Sequence, residues 1–566
     1  MANSTYFINP KSGSDSNPGR LENLPWKSFE PINAMVLEEG DRIEILEAGS
    51  FHHSLVLRGE GSQELPIYVN FAPGRYDFYL DKANKKKYDI SNNNDGRDSE
   101  KNLGIFIDHA KNIFISGPQA RIVFRAKVIE VCIDHSENIT ISDLQFDYHR
   151  PTVSEFTVTH VEGDKVDFSI HPDSHYEIQD DVIHWIGEGW DYKEGLTQDL
   201  DPTTDYLSRI KYPLAGLKIS ELSKNKCRAL GSHTLKKDHV YQVRDTFRDC
   251  VGVFIHRSKN TNFFGCDFYF THGMGIVGQF SENISLDSVN IAPEEGSGKT
   301  SACWADCTHF SGCKGDIVMK NCIFCGAHDD ATNVHGTYLR VVDQSESNKV
   351  TVRFIHAQTY GFFAFNAGDN IEFIRHDSLE PFATNKVLSV EMLNPKELLL
   401  TLEKPAPDNC NQNDVVENTS WTPNVDISGC TSKHLPSRGF LLTTRGKVRI
   451  ENNRFISLRR GIHIEGDTQS WFESGSVHDM EIKNNRFENC LTSGIAITPN
   501  ASRLNNNVHK KISISDNTFI FNNDSDAVEA RCVENLILKG NKIVNTGERS
   551  NEESIQISNC AHVEID

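Results

Sequence analysis

Three segments, Val448-Arg449-Ile450-Glu451-Asn452-Asn453-Arg454-Phe455, Met480-Glu481-Ile482-Lys483-Asn484-Asn485-Arg486-Phe487 and Ile512-Ser513-Ile514-Ser515-Asp516-Asn517-Thr518-Phe519, are one phrase written three times, each 32 residues after the last. In each, aliphatic residues alternate with polar ones over a short strand, and an Asn or Asp then marks a turn. Alternation puts every second side chain on one face of a strand, while Asn and Asp tolerate the left-handed backbone of a tight turn and can hydrogen-bond in ladders. A fixed period of this kind is the signature of a solenoid. The phrase also runs earlier: Ala110-Lys111-Asn112, Ser136-Glu137-Asn138, Ser258-Lys259-Asn260 and Ser281-Glu282-Asn283 precede further strands, the last two 23 residues apart. The chain therefore reads as all-β, a right-handed parallel β-helix. At 566 residues it is too long for one ordinary globular core unless it grows by repetition.

Two stretches break the period. From about Arg150 to Arg244, Phe156-Thr157-Val158-Thr159 and Val166-Asp167-Phe168-Ser169-Ile170 flank the turn Glu162-Gly163-Asp164; from about Thr337 to His434, Val350–Phe354 and Leu398–Leu402 alternate in the same manner. Alternation around tight polar turns predicts antiparallel sheet, so each stretch is expected to be a β-barrel inserted between coils. The predicted layout is an N-terminal cap and first coils over 1–149, barrel one over 150–244, central coils over 245–336, barrel two over 337–435 and C-terminal coils over 436–566. Phe29–Leu37 is expected to be an amphipathic helix covering the open end of the stack, which would otherwise expose its core and strand edges.

The central coils carry the chemistry. Asp306-Cys307-Thr308-His309-Phe310 and Asp330-Ala331-Thr332-Asn333-Val334 lie 24 residues apart, with Asp329 directly before the second. One coil of separation stacks equivalent residues at about 4.8 Å, so Asp306 and Asp330 are expected one above the other, with Asp329 beside them. Crowded carboxylates repel, and they point to acid–base chemistry or cation binding. Glycoside hydrolysis requires two carboxyls, and a stacked pair would hold them about 5 to 8 Å apart, a range that covers inverting geometry and overlaps retaining geometry. His309, Asn333 and His335 fall on the same strands and could bind sugar hydroxyls or tune the acids. Trp304 could stack on a sugar ring, and Glu465 and Trp471 place a further acid and aromatic on later coils. A solvated or calcium-binding turn is the plainer reading of an Asp pair.

A formal charge of −21 argues against nucleic acid or an anionic membrane as partner and suits neutral ligands such as sugars. No run is long and apolar enough for a membrane-spanning helix. The opening Met1–Tyr6 lacks the charged and apolar regions of a signal peptide, so a secreted or periplasmic location is expected only where a leader has been removed. Cys303, Cys307, Cys313, Cys322 and Cys325 cluster, and Cys322-x2-Cys325 alone could suggest zinc, but no second such pair accompanies it; stacked core thiols are the preferred reading.

Trp304–Phe310, His328–Tyr338, Phe146–Pro151 and Trp471–Gly475 together resemble glycoside hydrolase family 110, the exo-acting α-1,3-galactosidases. The resemblance covers nearly the whole chain, and its most specific part is Asp329-Asp330. It implies a β-helix with two barrels, release of terminal α-1,3-linked galactose from glycans such as the blood-group B antigen, inversion at the anomeric carbon, and Asp306, Asp329 and Asp330 as the essential acids. No cofactor and no metal enter this reading, and self-association into a homo-oligomer is left open. Two rivals remain. A polygalacturonase-like inverting hydrolase would call for Arg or Lys beside the acids, and the strand from Asp329 to Tyr338 carries none. A non-catalytic glycan-binding solenoid would keep binding when Asp306 or Asp330 is replaced by Asn.

Overall fold

A computed structural model describes residues 4–95 and 99–566. Met1–Asn3, part of the opening read for a leader, lie outside the described residues. The main body is a parallel β-helix whose coils are joined by three ladders. One runs from Leu55–Leu57 through Thr308–Ser311 and Thr332–Thr337 to Ile555–Ser558. The other two run side by side and merge where Lys111–Phe124 and Glu137–Tyr148 bend across both.

The turn residues act as the sequence predicts. Asn112, Asn138, Asn260 and Asn283 all take positive φ, between 53° and 56°. Their side chains form a ladder, each Nδ2 donating to the Oδ1 of the previous coil at 2.8–2.9 Å. In the later coils the two Asn positions divide the work. Asn452, Asn484 and Asp516 take the left-handed turn, while Asn453, Asn485 and Asn517 turn inward, are buried, and donate from one coil to the next at 3.0–3.1 Å. Beneath them Phe455, Phe487 and Phe519 stack with ring centroids 4.8 Å apart. That spacing is the strand spacing, so the ladder and the aromatic column enforce the same register.

The two insertions differ in closure. In the second, the strands Leu339–Glu346, Lys349–Arg353, Asn370–Ile374, Pro381–Asn394, Glu397–Leu402 and Val415–Asn418 close into a six-stranded barrel. The first, running from Val153 to Arg244, forms a seven-stranded antiparallel sheet and a separate three-stranded sheet. These share a core that includes Phe156, Phe168, Trp185 and Tyr241. Its edge strands Tyr206–Ile210 and Lys218–Ser223 do not pair with each other, so the ring of the expected barrel stays open. The Tyr206–Ile210 edge instead faces the coils: the Tyr206 hydroxyl donates to the carbonyl of Asn489.

The cap helix is shorter than expected, spanning only Glu30–Asn33. Asn33 ends it by donating to the Ser54 carbonyl and accepting from Val56 N–H, both at 2.8 Å. Leu37 N–H then donates to the Arg58 carbonyl at 2.8 Å, which draws the chain into strand pairing. The end of the stack is still covered, since Phe29 and Ile32 are buried and Phe29 stacks on Phe51 at 4.0 Å. The clustered cysteines Cys303, Cys307, Cys313 and Cys322 are buried free thiols. Among the described residues no helix is long and apolar enough to cross a membrane.

Replacing Asn485 by Ala orphans the Asn453 N–H groups and the Ile450 carbonyl. At about 1–3 kcal/mol for each buried group left unpaired, chemical denaturation is expected to show a loss of about 3 kcal/mol or more. Asn452→Gly, at a left-handed position that glycine adopts without strain, should change stability by less than about 1 kcal/mol.

Candidate active site

Register builds the site. Thr308 pairs with Thr332 and His309 with Asn333 across adjacent coils, so Asp306 and Asp330 stack two residues earlier, and the Asp330 N–H donates to Asp306 Oδ1 at 3.3 Å. Asp306, Asp329 and Asp330 present carboxylate oxygens that all lie within 4.8 Å of one another. Asp306 and Asp330 are almost fully buried, while the Asp329 side chain is 23% exposed.

Such a cluster holds together because guanidinium groups surround it. The column continues upward, Thr332 pairing with Phe440 and Arg438 with Arg460, which puts Arg438 directly over Asp330. Arg438 donates from Nε and Nη2 to both Asp330 oxygens at 2.8–3.1 Å, and its own N–H donates to Oδ1 at 3.0 Å. From the first insertion, Arg209 pairs with Asp329 at 2.6 Å and donates to the His328 carbonyl at 3.1 Å. Arg248 also lines the pocket and pulls on the charges of Asp306 and Asp329. The three carboxylates are thus met by fixed cations of the chain itself.

The environments of the three differ. Burial raises the Asp306 carboxyl to about 6, reinforced by Asp329. Burial likewise raises Asp330 to about 6, with Arg438 pulling the other way. Burial would also raise Asp329, but Arg209, Arg438, Arg248 and Arg244 together bring it to about 2. Two further acids join them in the same pocket. Burial raises Glu465 to about 7 and Glu473 to about 8, Arg438 opposing in both cases. Acids set apart in this way can divide proton donation and acceptance between them.

The pocket holds about 230 Å³. The first insertion lines it through Arg209, and a loop of the second packs on two of its lining residues, Asn92 and Trp471. In that loop, Gln358 donates to Asp95 at 2.8 Å and Thr359 donates to Asn92 at 2.6 Å, while the His356 ring stacks on Trp471 at 3.9 Å. Trp471 lines the pocket, and its N–H donates to Asp467 at 2.6 Å. Glu473 and Ser474 pair antiparallel with Thr337 and Gly336. A Cβ at Gly336 would lie 2.4 Å from Ser474 Oγ, so a larger residue there would require that hydroxyl to turn away. Asn92 donates to Glu473 at 2.7 Å, and Asn333 does so at 3.2 Å.

Of the residues singled out in sequence, Asp306, Asp329, Asp330, Asn333, Glu465 and Trp471 converge on this pocket. Three do not line it. Trp304 is 2% exposed and packs under the Arg244 guanidinium, 4.1 Å from its ring centroid; it braces the wall instead of offering a platform. His309 and His335 are equally buried and lie behind Asp306, His309 bonded to it and His335 to His309. Sequence reasoning missed Arg209, Arg248, Arg438, Asn92 and the site role of Glu473. Because the arginines come from other coils and from an insertion, the lack of basic residues between Asp329 and Tyr338 does not describe the pocket. Arg438 was recoverable: with the second insertion set aside, it is the next member of the column that contains Asp306 and Asp330.

Comparisons with known proteins agree with this architecture. A family described as "Right handed beta helix region" matches residues 408–512, and "GLAA-B beta-barrel domain II" matches residues 349–416. Among curated proteins, the chain is 41% identical to the α-1,3-galactosidase A of Akkermansia muciniphila, across 97% of this chain and 93% of that protein. It is 37% identical to the α-1,3-galactosidase A of Bacteroides thetaiotaomicron (88% of this chain, 90% of that protein). With the α-1,3-galactosidase B of Parabacteroides distasonis it shares 30% identity (86% and 83%). Identity of this extent, spanning the coils and both insertions, shows that the chain belongs to the α-1,3-galactosidase family.

Proposed function

We propose that the pocket hydrolyses the glycosidic bond of a terminal α-1,3-linked galactose on a glycan, acting from the chain end. The observation that carries this reading is the trio Asp306, Asp329 and Asp330, with oxygens inside 4.8 Å at one wall of a roofed pocket. One carboxyl can reach a glycosidic oxygen placed there while another reaches the anomeric carbon or its attacking water, as hydrolysis by a carboxylic acid and a carboxylate requires. The volume of about 230 Å³ lies below the ~300–1,000 Å³ of sites for drug-sized ligands. That suits one terminal sugar better than the interior of a chain, and it favours an exo-enzyme over a polygalacturonase-like cleft. Trp471 offers an aromatic face, and Asn333, Asn92 and Arg248 offer hydrogen-bond donors. We further propose inversion, which the family resemblance supports. It needs a water between the acting acid and base, since the trio's nearest oxygens, inside 4.8 Å, would by themselves suit retention. We also propose action on both fucosylated (blood-group-B-type) and linear α-1,3-galactosyl ends.

Incubation with linear and fucosylated α-1,3-galactosides, followed by proton NMR, should show free galactose with the β-anomer appearing first. Release of α-galactose first would contradict inversion, and no galactose from any α-1,3-galactoside would contradict the function. Asp306→Asn, Asp329→Asn and Asp330→Asn should each lower kcat/KM by about 10²–10⁴-fold; a glycan-binding solenoid would show no such loss, because it would have no turnover to lose.

The raised carboxyls also set the pH dependence. Asp306 and Asp330, near 6, gain protons as pH falls through that value, so kcat/KM should decline below about pH 6 as the base is lost. Glu465 and Glu473, near 7 and 8, lose protons above those values, and a decline is expected there as positive balance in the pocket is lost. Both limbs belong to the coupled cluster and not to single residues. A profile flat from about pH 5 to 9 would contradict this account of the pocket.

A further inference from the structure

Behind the pocket wall, Asp306 continues into a chain of hydrogen bonds that hydrolysis by two carboxyls does not itself require. Asp306 Oδ2 lies 2.8 Å from His309 Nδ1. His309 Nε2 lies 2.9 Å from His335 Nε2, and His335 Nδ1 lies 2.6 Å from the Gly336 carbonyl oxygen. His335 Nε2 is also 3.6 Å from Glu473 Oε1. Both rings are almost fully buried. Asp306 lines the pocket, so a pocket carboxyl is joined through the wall to two imidazoles in series.

The proton count of this chain is fixed by its end. A carbonyl oxygen only accepts, so His335 Nδ1 carries a hydrogen and donates it to Gly336. If His335 is neutral, its Nε2 has a lone pair, and the facing His309 Nε2 must supply the hydrogen. His309 Nδ1 then carries a second hydrogen only as an imidazolium; otherwise the hydrogen lies on Asp306. If His335 is instead the imidazolium, its Nε2–H donates to His309, whose Nδ1–H donates to an ionised Asp306. Every arrangement without an unfilled contact contains one proton more than two neutral rings and a carboxylate. That proton rests on Asp306, His309 or His335, and each transfer breaks one O–H or N–H bond and forms another, with the charge of the three unchanged. Burial lowers His335 to about 4 and holds His309 well below its ordinary value, which favours the proton on Asp306.

The surroundings leave the chain enclosed. Asp329, Arg248 and Arg438 face Asp306; Arg248 and Asp329 act on His309; Asp306 acts on His335; and Arg438, Asp306 and Asp467 act on Glu473. No lysine or further histidine is among these influences.

We propose that His309 and His335 form an internal proton relay with Asp306, which lets that carboxyl change between acid and carboxylate without exchanging a proton with the pocket. Two-carboxylate hydrolysis leaves one carboxyl with a proton too many and the other with one too few. When the shared proton moves inward, the Asp306 O–H bond breaks as His309 Nδ1–H forms, and His309 Nε2–H breaks as His335 Nε2–H forms, which leaves Asp306 ionised and His335 an imidazolium. When it moves outward, the same bonds break and form in reverse and Asp306 is again a carboxylic acid. His309 and His335 touch no sugar in this scheme and are positioning residues. The inference rests on the galactosidase reading for its purpose, but not for its detection.

Nitrogen and proton NMR of the wild-type protein carrying labelled imidazoles needs neither substrate nor a variant. It should find His335 protonated at Nδ1 and one proton shared along the chain. Two neutral rings beside an ionised Asp306 throughout about pH 5–8, where unperturbed histidine titrates, would overturn the relay even if galactose is released. In His335→Ala, kcat should fall about 10-fold or more, KM should stay within about twofold, and added imidazole should restore part of kcat by filling the vacated space. An unchanged kcat and pH profile, or a rise in KM alone, would overturn it, since the latter marks a sugar contact. Should His335→Ala fail to fold, the wild-type spectrum decides alone.

Discussion

The constraint on which this protein depends is register at one strand spacing. A parallel ladder places residue i of one coil over its equivalent in the next at about 4.8 Å, and nothing in the backbone distinguishes a stack of phenylalanines from a stack of carboxylates. In the later coils that spacing stacks Phe455, Phe487 and Phe519 into a stabilising column. At Asp306 and Asp330 it forces together two groups that repel, and the same ladder delivers Arg438 to the place where their charge is balanced. Stability and chemistry come from one geometric rule applied to different side chains.

That rule explains why the acids sit where they do, but not why they are functional. Function comes from what interrupts the coils. Each insertion brings to the pocket something the solenoid cannot make: Arg209 on an unclosed sheet edge, and a loop from the closed barrel that packs His356 on Trp471 and ties down Asn92. A bare β-helix face is an open floor suited to a long polymer. With a wall and a roof it becomes a pocket for a chain end.

Much of this was legible in the sequence because periodicity is a direct physical signal. The 32-residue Asn-Asn phrase and the 24-residue Asp spacing specify coils, inward faces and the stacking of Asp306 on Asp330 before any coordinates are known. What escaped reading lay across interruptions. Arg438 is the next rung after Asp330, but 108 residues separate them in the chain. Arg209 belongs to no repeat at all. The histidines were found on the right strands with two readings, sugar contact or tuning of the acids, and His309 bonds Asp306 behind the wall: alternation tells which face a side chain takes, and not whether another side chain stands between it and the solvent. Trp304 was misplaced for the same reason. The cap helix was overextended because apolar spacing from Phe29 to Leu37 fits a helix, whereas Asn33 and Arg58 provide bonding that ends it early.

The central claim is that three aspartates on two successive turns handle one glycosidic bond and its attacking water. Its most direct test is a crystal structure of the Asp329→Asn protein with an α-1,3-galactosyl disaccharide bound. The account predicts the terminal galactose inside the pocket, with its glycosidic oxygen within hydrogen-bond reach of one of residues 306, 329 and 330 and an ordered water near another. A disaccharide bound elsewhere on the coils, or one whose glycosidic oxygen lies beyond reach of all three side chains, would contradict it.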